Sequence, residues 1–62
     1  MATLKELRED AVLTQEELAR LSRVGRTTIA AIETGRRTKR PHPSTIRKLA
    51  KALKVAPQDI EL

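Results

Sequence analysis

The sequence predicts a small all-α domain of five short helices, and three observations carry that expectation. None of the 62 residues is Phe, Trp or Tyr, so the core must be built from Leu, Ile, Val and Ala. Such a core suits closely packed short helices better than a sheet joined by aromatic cross-strand pairs. Two T-x-x-E stretches, Thr3 to Glu6 and Thr14 to Glu17, have the spacing of a capping box, in which the threonine oxygen accepts from one free helical amide and the glutamate reaches back to another. Apolar residues recur at helical intervals, most clearly Ile46, Leu49, Ala50 and Leu53 at i, i+3, i+4 and i+7.

In order, the first helix follows Thr3 and runs over Leu4–Asp10, and the second follows Thr14 over Gln15–Ser22, with Leu18, Ala19 and Leu21 as its apolar face. A third spans Arg26–Thr34, turns Ile29 and Ile32 inward, and stops at Gly35, the residue best suited to a left-handed C-cap. Only Ser22-Arg23-Val24-Gly25 joins the second helix to the third, which requires a steep crossing. Ala19 is small enough to allow close approach there, with Val24 and Ile29 closing the wedge. Residues 36–43 contain two prolines and no other apolar side chain and read as a loop, after which Pro43 opens the fourth helix. Arg47, Lys48, Lys51 and Lys54 lie opposite its apolar stripe. Ala56-Pro57-Gln58-Asp59 predicts a last short helical turn. A chain of this length forms one domain, residues 1–62, too small for a deep substrate cleft.

Charge is distributed unevenly. The net charge is +5, but between Glu17 and Asp59 eleven basic residues face one acid, Glu33, so the middle of the chain carries +10 and the flanks −5. A polyanion is the partner that this distribution suits. Metal and catalytic chemistry are not expected. Cysteine is absent, His42 stands alone between two prolines, and Glu16 and Glu17 point apart on a helix rather than converging as an acid/base pair. The N-terminus reaches charge by Lys5 and no apolar run approaches the ~18 residues of a membrane span, so a soluble intracellular protein without cofactor or membrane partner is expected.

Leu13-Thr14-Gln15-Glu16-Glu17-Leu18-Ala19, then Val24-Gly25-Arg26-Thr27-Thr28-Ile29, then Ile32-Glu33-Thr34-Gly35, resemble the Cro/C1-type (Xre) helix-turn-helix family. Arg40-Pro41 and residues 46–53 are similar to the family's following loop and fourth helix, and Val55-Ala56-Pro57 to its fifth, so nearly the whole chain is covered. The resemblance implies a compact five-helix lambda-repressor-like domain whose third helix enters the major groove of duplex DNA while the second spans the backbone. Arg26, Thr27, Ala30 and Ala31 then face base edges: Arg26 either donates twice to guanine or clamps a phosphate, and the alanines either meet thymine methyls or merely favour helix. Gln15, at the start of the second helix, matches the family position that binds a phosphate, and Thr28, Arg36, Arg37, Lys39 and Arg40 complete the backbone set, with Lys39 and Arg40 favoured. Arg47 and Lys51 extend the basic surface. The resemblance also pairs Arg8 with Glu33, a structural role, since an acid near a helix C-terminus opposes the macrodipole.

Three positions depart from the family pattern: Gly25 stands where a Ser or Thr usually caps the third helix, and Val12 and Lys54 replace glycines after the first and fourth helices. The implied function is transcriptional regulation, as a repressor, in the cytoplasm of a bacterium or for a phage, by a homodimer on a pseudo-palindromic operator. Val55, Ile60 and Leu62 offer only a small apolar patch for association in free solution. The alternative is an antitoxin or protein-interaction module of the same fold, with a toxin or other protein as partner and little specific DNA binding.

Overall fold

Local capping sets the element boundaries. The computed structural model describes residues 2–35 and 41–61. Its elements run β1 (Ala2–Thr3), α1 (Leu4–Asp10), α2 (Gln15–Ser22), α3 (Arg26–Thr34), α4 (Pro43–Leu53), a single 3-10 turn (Pro57–Asp59) and β2 (Ile60–Glu61). Both capping boxes close. The Glu6 amide donates to Thr3 Oγ1 at 3.2 Å and the Thr3 amide to Glu6 Oε1 at 2.9 Å; the corresponding distances at Thr14 and Glu17 are 3.0 and 2.8 Å. The Thr3 amide and then its hydroxyl hold the Glu6 carboxyl below its ordinary range. His42 caps α4, its Nδ1 accepting from the Ser44 amide at 3.1 Å with Pro43 in the first turn.

The C-terminal ends use left-handed residues. Gly35 takes φ 70 after α3, and Arg23 and Lys54 take φ 61 and 59 after α2 and α4. Val12 adopts φ 58 between α1 and α2. Val12 and Lys54, the two positions where the sequence resemblance leads one to expect glycine, therefore keep the glycine-like backbone without the glycine. For a side chain in this region the cost is about 1–2 kcal/mol, and a β-branched valine is the least suited to it.

Leu4, Leu18, Val24, Ile29, Leu49, Ala50, Leu53 and Ile60 form the buried core, an all-aliphatic cluster to which the four α-helices and β2 contribute directly. Leu7, Leu13, Ala19, Ile32, Ile46, Ala52 and Val55 pack around it. No helix among the described residues is long and apolar enough to cross a membrane.

Four features differ from the sequence expectation. The fifth helix is one 3-10 turn, because Asp59, whose carboxylate accepts from the Ala56 amide at 3.2 Å, is followed at once by extended Ile60. To the all-α fold is added one short contact, in which β1 and β2 form a two-stranded parallel pair that joins Ala2 to Ile60 and Thr3 to Glu61. That pairing turns Ile60 inward to 5% exposure, so Ile60 belongs to the core and not to a surface patch for self-association. Leu21 is 61% exposed, because the inward face of α2 runs through Leu18, Ala19 and Ser22 with half-buried Gln15 at its N-terminal end. At about 100° per residue, residues 15, 18, 19 and 22 form the stripe, and Leu21 falls about 100° from its centre.

Candidate nucleic-acid interface

The junction of α2 and α3 is held by a buried serine. Ser22 Oγ donates to the Leu18 carbonyl at 2.7 Å and accepts from the Val24 amide at 3.3 Å, which satisfies the polar atoms of a tight turn as Val24 enters the core. Gly25 then begins α3 with φ −59 and no side-chain cap. From there helical geometry assigns the faces. Ile29 is fully buried and Ile32 half-buried, while Arg26, Thr27 and Thr34 are exposed and Thr28, Ala30 and Ala31 half-exposed. The outer face of α3 is thus accessible along its length, and its two alanines leave the backbone close to whatever docks there.

Glu33 organises the inner side of this arrangement. Its carboxylate accepts from Arg8 Nε at 2.7 Å and Nη2 at 3.0 Å, a two-pronged pairing, and from Gln15 Nε2 at 3.1 Å. Arg8 Nη1 donates to the Leu13 carbonyl at 2.8 Å, so the guanidinium also fixes the chain entering α2. The two side chains of the ion pair are only 13% and 4% exposed. Burial pushes the Glu33 carboxyl up, but the hydrogen bonds from Arg8 and Gln15, together with the positive charges of Arg8 and Lys5, outweigh it and hold the group below its ordinary range. Hydrogen bonding to Glu33 raises Arg8 further above its already high value, against the opposing effect of burial. Three segments, α1, α2 and α3, therefore meet at one carboxylate.

Gln15 is consequently half-buried and oriented from within the protein, rather than a free surface amide. One of its two amide hydrogens engages Glu33, and the second remains available. Gln15 also lines a surface depression of about 430 Å³ with Arg8, Leu13, Thr14, Glu16 and Arg26. The capping box engages the amides of Thr14 and Glu17; those of Gln15 and Glu16, in the first turn of α2, have no intrahelical acceptor. The depression thus combines a helix N-terminus and an oriented carboxamide, a pair suited to a phosphate, with the guanidinium of Arg26 on its α3 side.

Among the described residues Arg8–Glu33 is the only ion pair, and Arg26, Arg47 and Lys51 are all exposed. Arg36, Arg37, Lys39 and Arg40 lie outside the described residues. The role of Ser22 and the Gln15–Glu33 bond were not anticipated from sequence. A signal for both existed in the i, i+3, i+4, i+7 spacing of Gln15, Leu18, Ala19 and Ser22, hidden because two of the four are polar.

Residues 2–62 match the family model described as a helix-turn-helix domain. No curated protein and no solved structure matches the chain.

Proposed function

The chain belongs to the helix-turn-helix domain family, a DNA-binding class, and on that premise we propose a sequence-specific regulator of transcription, of Cro/C1 (Xre) type, that lays α3 in the major groove. One observation carries the reading. Arg26, at the start of the accessible face of α3, shares a depression with Gln15 and the N-terminus of α2, so a base-reading surface and a backbone-gripping surface are continuous. With α3 in the groove, Thr27, Ala30 and Ala31 face base edges, Arg26 reaches guanine O6 and N7, and Gln15 and Thr28 hold a phosphate. Arg36, Arg37, Lys39 and Arg40 supply further phosphate contacts in this reading, and Arg8 and Glu33 orient the two helices. A two-fold dimer would set two copies on half-sites about 10 base pairs apart. Occupancy of such an operator is enough for repression.

Selection of bound duplexes from a random library, followed by salt titration of the preferred sequence, tests this directly. Neutralising ~4–6 phosphates gives a log–log slope of ~0.9 per contact. Arg26→Ala is expected to cost ~1–3 kcal/mol and to relax preference at one base pair, whereas Arg40→Ala weakens binding to all duplexes alike. A flat salt dependence, or a library from which no sequence emerges, defeats the proposal.

A further inference from the structure

Two large apolar side chains are exposed among the described residues, Val12 at 86% and Leu21 at 61%, and they sit in opposite electrostatic settings. Val12 tips the turn between α1 and α2. Exposed Glu9 and Asp10 precede it and exposed Glu16 follows, and the turn is held by the Val12 amide donating to the Glu9 carbonyl at 2.9 Å and the Leu13 amide to the Arg8 carbonyl at 3.1 Å. Leu21 walls a groove of about 550 Å³ between α2 and α4, lined also by Ser22, Arg23, Lys48, Lys51 and Ala52. Three of those six side chains are cationic and none is acidic.

We propose that the acidic, valine-tipped turn of one copy docks in the basic, leucine-walled groove of another, so that copies of this chain associate head to tail. The fold offers no use for Val12: its backbone lies at φ 58, where glycine is unstrained, and its side chain is almost wholly outside the protein. An unfavourable residue held in such a backbone is a pointer to function. The groove shares Lys51 with the basic surface but none of Gln15, Arg26, Thr27, Thr28, Ala30 or Ala31, so DNA binding leaves Leu21, Arg23 and Lys48 without a use. What it lacks is an apolar side chain flanked by carboxylates, and the turn at Val12 supplies one. Because the two surfaces differ, the contact is heterologous and propagates as an open chain instead of closing as a two-fold dimer. It is also small, and each copy carries +5, so association is weak and appears where salt screens the long-range repulsion but not the close pairs.

Sedimentation equilibrium on the whole chain, at concentrations up to about 1 mM and about 0.15 M salt, provides the test. The wild type is expected to gain mean mass with concentration. Val12→Gly, which suits its backbone better and so cannot act through unfolding, and the double variant Lys48→Glu/Lys51→Glu, both at exposed positions, should each remain monomeric. An equimolar mixture restores one intact contact, the valine tip of the second variant in the groove of the first, and should form a 1:1 complex and nothing larger. A monomeric wild type, association of Val12→Gly equal to wild type, or a mixture that stays monomeric overturns the proposal. None of these readouts involves DNA, so failure here is distinct from failure of the DNA-binding reading.

Discussion

Replacing Glu33 with Gln removes one charge and almost no volume, and the surroundings of Glu33 make the consequence large. The carboxylate accepts three hydrogen bonds, two from Arg8 and one from Gln15, with its side chain 4% exposed. A carboxamide keeps one acceptor oxygen and turns an NH2 donor toward donors of the guanidinium, leaving Arg8, itself 13% exposed, without a counter-charge. Breaking a buried pair by removing one partner costs 3–5 kcal/mol, and a hydrogen bond to a charged group is worth about 1.5–3 kcal/mol. For this partly solvated pair we expect a loss of about 2–3 kcal/mol, against a total stability of roughly 3–9 kcal/mol for 62 residues. At about 4–8 °C per kcal/mol for a domain of this size, Tm falls by roughly 10–20 °C.

The pH dependence supplies a second readout from the same variant. Because the folded carboxyl of Glu33 is held below its ordinary range, its contribution to stability is fully present above the unfolded value of about 4.3 and is lost as pH falls through the lower folded value. The gap between wild type and Glu33→Gln should therefore be widest near neutrality and close in acid. Glu6, also lowered, is present in both proteins and cancels from the difference. Thermal and urea unfolding from pH 7 to about 3 measure this directly. A Tm within a few degrees of wild type at pH 7, or a gap that does not narrow in acid, would refute the assignment of Glu33 as the tie between α1, α2 and α3.

Val12→Gly and Lys54→Gly, at φ 58 and 59, should each stabilise the fold by about 1 kcal/mol in urea unfolding. The ordinary outcome for glycine introduced elsewhere on a surface is a loss. Gly25→Ser should also stabilise, by about 0.5–1 kcal/mol, since its φ of −59 suits any residue and an added Cβ meets nothing nearer than Thr28 Oγ1 at 3.8 Å; an unchanged Tm would mean that no cap forms. Thr14→Ala opens the capping box of α2 and should cost about 1 kcal/mol, with loss of amide protection at Glu17 in hydrogen exchange.

By itself the sequence determined where the helices begin and end, and which residues form the outer face of α3. Caps act over three residues and helical faces repeat over a few turns, so Thr3, Thr14, Gly35 and Pro43 declare boundaries without reference to the rest of the chain. Tertiary structure decided the rest. In α2 two polar residues, half-buried Gln15 and buried Ser22, take the inward stripe in preference to Leu21, because Glu33 and the tight turn supply hydrogen bonds that make those polar groups fit. Arg8 meets a carboxylate 25 residues away, a pairing visible in advance through family resemblance and not through any local pattern. Ala2–Thr3 and Ile60–Glu61 pair from opposite ends of the chain, and two-residue segments carry no periodicity that could announce it. Local physics writes a signature into neighbouring residues, whereas a contact between distant segments exists only once the core has brought them together.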